Sequence, residues 1–177
     1  CDRGQDGRAA QEAARHHHGF LLYHETSEDL KQVIRSNYLY STLLENLRNH
    51  QLKVVYQPIV DTISGTVCCY EALLRVRQKN GQYESIFPYL EVARSTGLYN
   101  SLSRFVLAEV ARKLQECGTN ISINITLSDV NHPGFMEEVF DVCEAIKQRP
   151  NKLILEIVES EELIEINFCR TFIRKVQ

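Results

Sequence analysis

The stretch Glu71-Ala72-Leu73-Leu74-Arg75 places a carboxylate and a guanidinium in an otherwise apolar segment. In an extended strand successive side chains point to opposite faces, so Glu71, Leu73 and Arg75 share one face. A charged side chain beside buried surface has to be paired, hydrogen-bonded or bound to a ligand. The pattern therefore predicts either a structural Glu71–Arg75 ion pair or a ligand site on this face.

Two later segments each place one more oxygen-bearing side chain in a predicted strand. Residues 120–126 alternate apolar and polar side chains, and Asn124 lies on the polar face. Residues 153–159 form an apolar run typical of a buried strand, with Glu156 in its middle. Asn124 also fits a turn or capping amide, and Glu156 a buried ion pair. Together with Glu71, these oxygen donors favour a hard cation such as Mg²⁺, Mn²⁺ or Ca²⁺ over zinc.

Four motifs occur in an order and spacing that resemble the EAL domain, a family that hydrolyses cyclic di-GMP. The resemblance runs from about Leu43 to the C-terminus, and four ordered motifs are more specific than one short match. The motifs are Tyr56-Gln57-Pro58-Ile59, Glu71-Ala72-Leu73-Leu74-Arg75, Ile123-Asn124-Ile125-Thr126 and Leu155-Glu156-Ile157-Val158-Glu159.

The fold implied by this resemblance is α/β, a TIM-like (β/α)8 barrel with an antiparallel first strand. The residue pattern agrees, because strands over 53–60 and 66–76 flank a turn at 62–65 and predict a hairpin. After the hairpin, helical and strand patterns alternate, which is typical of a largely parallel sheet. The predicted helices cover residues 88–96, 101–116 and 135–147, with a last helix from Ser160.

The resemblance assigns metal coordination to Glu71, Asn124 and Glu156, with Glu71 and Glu156 as the catalytic carboxylates. The implied reaction is metal-dependent hydrolysis of cyclic di-GMP to linear pGpG. A two-metal site holding Mg²⁺ or Mn²⁺ would activate water and neutralise charge on the attacked phosphate. Without metal, the acidic side chains would repel an anionic substrate.

Three further roles follow from the same resemblance. Gln57 and Arg75 are expected to contact the phosphodiester, since a guanidinium can fork onto two phosphate oxygens. Glu159 matches a family glutamate that braces a mobile loop near the site, although it equally fits a carboxylate at a helix N-terminus.

The chain stops before the family's later motifs. A complete barrel takes about 250 residues, so residues 43–177 are predicted to be the truncated N-terminal half of an EAL domain. The other half would contain an aspartate pair that completes the metal site and a lysine near the attacking water. By itself the half barrel would expose strand edges and apolar faces, so we expect it to be inactive and to be unstable, aggregated or dimerised.

The N-terminal part differs in composition. Residues 1–19 contain almost no large apolar side chains and include three consecutive histidines, which predicts a disordered tail or an expression-tag remnant. Residues 20–42 are predicted to be a linker and helix from an upstream sensory or GGDEF-type domain. The alternative is that residues 28–50, which carry an apolar helical stripe, form the first helix packed on the barrel.

The composition of the chain bears on its possible partners and its cellular location. The 177 residues are 44% hydrophobic with a net charge of −3, which gives no basic excess for binding a nucleic acid polymer. No apolar run is long enough to span a membrane, although a longer parent protein could be membrane-anchored. The six cysteines show no CxxC or metal-like spacing, which favours reduced thiols and a cytoplasmic location.

The leading interpretation is therefore a cyclic di-GMP phosphodiesterase domain in second-messenger signalling. Its expected partners are cyclic di-GMP, a second copy in a homodimer, and the upstream domain. Two alternatives stay open: a catalytically inactive EAL domain that acts as a cyclic di-GMP receptor, and a protein-interaction module whose nucleotide chemistry is vestigial.

Overall fold

The computed structural model of the protein describes residues 27–157. Residues 27–37 belong to one unit and residues 38–157 to a second, and the sheet lies in the second unit. The predictions for the tail, for the helix from Ser160 and for Glu159 fall outside the described residues.

Five helices and five strands form the described part. The helices are α1 (Ser27–Arg48), α2 (Leu90–Ser95), α3 (Tyr99–Glu116), α4 (Leu127–Asn131) and α5 (Phe135–Ile146), with a 3₁₀ turn over Phe87–Tyr89 before α2. The strands are β1 (Lys53–Val60), β2 (Val67–Arg77), β3 (Tyr83–Ser85), β4 (Ile121–Ile125) and β5 (Leu153–Ile157).

Strands β1 and β2 form the predicted antiparallel hairpin. The Asp61 carboxylate shapes the turn, because it accepts hydrogen bonds from the backbone N–H groups of Ile63 and Ser64 at 3.0 and 2.7 Å. These hydrogen bonds lower the pKa of Asp61. Gly65 completes the turn with φ of 69°, a left-handed conformation that costs glycine little. The turn sets the register in which Gln57 faces Glu71.

The strand order is β1-β2-β4-β5, with β3 paired to β2 off this path. Strand β4 runs parallel to both β2 and β5, whereas β1 is antiparallel to β2. An antiparallel first strand followed by parallel strands confirms the predicted sheet. The helices between the parallel strands supply the crossover connections that such pairing requires.

One face of the sheet packs against the helices and forms the core. Side chains at alternate positions of each strand point to this face, and they are apolar. The opposite face carries the polar side chains of the same strands. The buried strand residues of the core are Val54, Ala72, Leu74, Val76, Ile121, Ile123 and Ile125, and the helices contribute Leu43, Leu102, Leu107, Val110, Leu114, Phe135, Val139 and Ile146.

Two short elements were not predicted. Strand β3 follows a tight turn in which the N–H of Gln78 donates to the carbonyl of Gln82 at 2.7 Å. Helix α4 begins at a capping box, in which Thr126 and Asp129 exchange side-chain and backbone hydrogen bonds. Three and five residues are too few for a periodic pattern, so only the turn and cap residues indicate them.

Helix α1 is joined to the end of β2 through a buried amide. Asn46, 2% exposed, accepts a hydrogen bond from the N–H of Arg77 at 2.8 Å and donates to the carbonyl of Arg77 at 3.0 Å. Strand β1 begins opposite Arg75 and has no residue opposite Arg77. The Asn46 amide therefore makes the hydrogen bonds to Arg77 that a neighbouring strand would otherwise make. The contact fixes the end of β2 two residues past Arg75.

Candidate functional site

Five of the predicted site residues lie on the polar face of the sheet. Gln57 pairs with Glu71 across the hairpin, and Asn124 pairs with Glu156 between β4 and β5. Because Glu71 also pairs with Ser122, Asn124 lies two positions further along on the same face. Arg75 follows Glu71 by four positions and shares its face as well. The sixth residue, Glu159, is outside the described residues.

The side chains of Glu71 and Asn124 are in direct contact. Asn124 Nδ2 donates a hydrogen bond to Glu71 Oε1 at 2.7 Å, in a partly buried setting. The alternative Glu71–Arg75 ion pair is not formed within residues 27–157. Instead, Arg75 Nη1 donates to the carbonyl of Leu74 at 3.1 Å. The guanidinium thus keeps donors available for an anion.

The donor set fits a small divalent cation. The Asn124 amide and the Glu71 carboxylate approach each other to 2.7 Å, so the amide oxygen and a carboxylate oxygen are near enough to contact one ion. Neighbouring ligands around Mg²⁺ lie about 2.9 Å apart, given Mg–O distances of 2.0–2.1 Å. Glu156 lies on the neighbouring strand beside Asn124 and adds a third oxygen donor. No group of three or more His, Cys, Asp or Glu side chains able to hold a metal occurs in the described residues, so these two carboxylates and one amide would need further ligands.

The pKa of the Cys69 thiol is affected by the two carboxylates on this face. Burial is the main cause that raises the pKa of its thiol, and Cys68 is the next. Glu156 and Glu71 raise the pKa further, because a carboxylate disfavours a nearby thiolate. Both carboxylates therefore lie close enough to act on the same side chain, although they belong to strands separated by β4.

The end of β4 is held by a buried carboxylate. Asp129, 1% exposed, accepts hydrogen bonds from the Thr126 N–H and hydroxyl, both at 2.9 Å. Thr126 is two residues beyond Asn124, so the capping box fixes the backbone that carries this amide. Thr126, the last residue of the Ile123–Thr126 motif, therefore has a structural role as a helix N-cap. This role was not assigned from the sequence.

Sequence reasoning did not identify Lys53 and Tyr83, which lie on either side of β2 near Arg75. Lys53 pairs with Arg75 across the hairpin, and Ser85 pairs with Arg75 on the other side of β2. Lys53 Nζ lies 5.6 Å from the ring centroid of Tyr83, which belongs to β3. The hairpin register predicts the Lys53–Arg75 pairing once Gln57 is set opposite Glu71. No sequence signal indicated Tyr83, because β3 was not predicted.

A separate cavity of about 520 Å³ lies between β1 and α3. Tyr56 lines it from the core side of β1, opposite to Gln57. Burial and the charge of Glu109 raise the pKa of Tyr56. Val54 and Tyr56 line the cavity from the helix-facing side of the sheet, and Lys53, which shares the face of Gln57, also contributes to its lining.

Across residues 27–157, no helix combines the length and apolar character required to cross a membrane.

A protein-family model matches more than half of the chain. The model of the EAL domain matches residues 41–177. This range contains all four motifs and each of the predicted site residues.

Among curated proteins, the chain is 29% identical over 123 residues to the "Probable cyclic di-GMP phosphodiesterase PdeG" of Escherichia coli K12, covering 66% of this chain and 24% of that protein. It is 31% identical over 126 residues to the "Bifunctional diguanylate cyclase/cyclic di-GMP phosphodiesterase MucR" of Pseudomonas aeruginosa, covering 67% and 18%. The chain therefore spans about a quarter or less of these relatives.

Among solved structures, the chain is similar to "PaMucR Phosphodiesterase, c-di-GMP complex", with a TM-score of 0.67 and 27% identity, over 78% of this chain and 59% of that one. The described strands and helices thus correspond to part of a TIM-barrel domain of this family.

Proposed function

The chain belongs to the EAL-domain family, and we propose that it supplies the first half of the active site of a cyclic di-GMP-specific phosphodiesterase. The observation that carries this proposal is the contact between Glu71 and Asn124, with Glu156 adjacent and with Gln57 and Arg75 on the same face. Acid and amide oxygens gathered from three strands suit a metal site, and a guanidinium further along the same face suits a phosphate.

Glu71, Asn124 and Glu156 would hold the divalent cation in this site. EAL phosphodiesterases are metal-dependent enzymes, and we propose Mg²⁺ or Mn²⁺ in a two-metal arrangement. When bound, the metal ions lower the pKa of water and neutralise charge on the attacked phosphate. The remaining ligands would come from sequence outside the described residues.

The chain's own residues would bind and orient the substrate. Arg75 would hold phosphodiester oxygens through its fork of N–H donors, and Gln57, which is exposed, would donate from its amide. Asn124 orients the Glu71 carboxylate through the hydrogen bond between them. The expected product is linear pGpG. For Glu159, the proposed role is to brace a loop beside the site.

The proposed partners are cyclic di-GMP, a second copy of the chain and an upstream sensory or GGDEF-type domain. Cys68, Cys69, Cys117 and Cys143 are free thiols, which supports a reducing, cytoplasmic compartment. The domain limits of the proposal are a tail over 1–19, a linker over 20–42 and the half domain over 43–177.

The proposal is tested with the purified full-length protein. Purified protein with Mn²⁺ or Mg²⁺ should convert cyclic di-GMP to pGpG. Liquid chromatography measures the loss of substrate and the formation of product. Glu71→Gln keeps the side-chain size but removes the charge, so it should abolish turnover. Binding of cyclic di-GMP without turnover in the unmutated protein would favour the receptor role. Absence of both binding and turnover would contradict the proposal.

A further inference from the structure

The polar face of the sheet carries a second charged cluster beyond the metal-ligand set. This cluster lies at the end of the hairpin where β1 begins, and its side chains share one face of the sheet. Its members are Lys53 on β1 and Arg75 and Arg77 on β2. Within residues 27–157, none of the three forms an ion pair with a carboxylate. Cations that face each other across a strand pair destabilise the sheet unless an anion lies between them.

The ammonium of Lys53 is held over β2. Lys53 lies on one side of β2 and Tyr83 on the other, because Arg75 pairs with both β1 and β3. The contact of 5.6 Å between Lys53 Nζ and the Tyr83 ring therefore crosses the face that carries Arg75. An ammonium over an aromatic ring is attracted by the ring's negative face. This contact places the Lys53 ammonium beside the end of β2 that carries Arg75, while the Lys53 side chain remains exposed.

The distance along the strand separates this cluster from the metal ligands. Arg75 is four residues from Glu71, which corresponds to about 13 Å at roughly 3.3 Å per residue. A cyclic dinucleotide carries two phosphodiesters, and only one of them is cut. The two ends of the face therefore match the two phosphates, with carboxylates for a metal at one end and cations at the other.

We propose that Lys53 is a second phosphate-binding residue, which holds the phosphodiester that is not cut together with Arg75, and that Tyr83 is its positioning residue. This inference rests on the proposed function, because it assumes that the ligand is a cyclic dinucleotide. Neither residue belongs to the four motifs. The interaction is made equally with substrate and transition state, so it should act on binding rather than on the chemical step.

The test measures KM, kcat and the dissociation constant for cyclic di-GMP in the full-length protein. Lys53→Gln should raise KM and Kd by about ten- to a hundredfold with kcat unchanged, as expected for loss of one charge-assisted hydrogen bond. Lys53→Arg should restore binding. Tyr83→Ala should raise KM by about threefold, and Tyr83→Phe, which keeps the ring, should not. Lys53 and Tyr83 are exposed, so their replacement should leave the fold intact.

Lys79 provides a matched control. Its ammonium lies 5.7 Å from the ring centroid of Tyr38, so it has the same charge and the same kind of ring contact as Lys53. Lys79→Gln should leave KM and Kd unchanged. A Lys53→Gln variant within twofold of the unmutated protein would overturn the inference, as would an equal effect of Lys79→Gln.

The Arg75→Ala variant distinguishes failure of the proposed role of Lys53 from failure of the proposed function. If Arg75→Ala weakens binding and Lys53→Gln does not, only the role of Lys53 is overturned. If the unmutated protein binds no cyclic di-GMP, the proposed function itself fails, whatever the variants do.

Discussion

The amide of Asn124 and the carboxylate of Glu71 lie 2.7 Å apart, although the two residues are 53 positions apart in the chain. They belong to neighbouring parallel strands, β4 and β2. The hydrogen bond fixes both side chains on the polar face before any ligand binds. Preorganised donors of this kind reduce the conformational cost of binding a metal.

Replacing Asn124 by Ala is expected to weaken metal-dependent turnover. The substitution removes one proposed ligand and the donor that orients Glu71, so the activity at limiting Mn²⁺ should fall at least about tenfold. Titration of pGpG formation against Mn²⁺ measures the effect. Ser122→Ala serves as the control, because Ser122 lies on the same strand and its buried hydroxyl has no partner within the described residues. An unchanged Mn²⁺ dependence of Asn124→Ala would contradict the metal-ligand assignment.

Replacing Asn46 by Ala is expected to destabilise the fold. The change leaves the N–H and C=O of Arg77, which lie in a partly buried setting, without the partners that now lie at 2.8 and 3.0 Å. Two such losses should lower the free energy of unfolding by about 2–4 kcal/mol, measured by urea denaturation. Asn49→Ala, at an exposed position near the end of the same helix, should change it by less than about 0.5 kcal/mol. Equal effects of the two variants would show that the amide does not support β2.

Tyr89 makes the stability depend on pH in the alkaline range. Burial raises the pKa of Tyr89 to about 12, and its hydrogen bond to Glu84 at 2.5 Å raises it too. The unfolded tyrosine loses its proton near pH 10. Between pH 10 and 12 the unfolded state therefore binds fewer protons, so the free energy of unfolding falls as the pH rises.

The corresponding variant is Tyr89→Phe. It should reduce the slope of unfolding free energy against pH between pH 10 and 12, measured by denaturation at several pH values. Part of the slope should remain, because burial also raises the pKa values of Tyr56 and Tyr99. If Tyr89→Phe leaves the slope as it is, the phenol does not ionise differently in the two states.

Gly134 is expected to resist replacement. Its φ is 83°, and a Cβ there would lie 3.3 Å from Arg104 Nη2. Gly134→Ala should therefore lower the free energy of unfolding by about 1–2 kcal/mol, by thermal or chemical denaturation. Gly118→Ala is the control, since no atom lies within 4 Å of a Cβ at that position. A cost as small as that of the control would mean that the loop before α5 adapts freely.

Much of the sheet follows from local patterns. The Lys53–Val60 strand is marked by its β-branched and aromatic residues, and the turn after it by Gly65, which adopts a left-handed conformation. Strand β4 is marked by strict alternation of isoleucine with polar residues. These signals depend on neighbours only a few positions away, so the sequence indicates them directly. Strand β3 and helix α4 were missed because each depends on a turn or cap beside a longer element.

The sequence alone determined the family and the residues of the polar face, because the motif residues and the alternation of side chains are properties of the chain itself. Only the tertiary structure decided that Glu71 contacts Asn124 and not Arg75, and that Lys53 reaches across β2 to Tyr83. These contacts depend on strand register and on which side chain finds a partner in space. Both are set by the joint packing of distant segments, which no local pattern records.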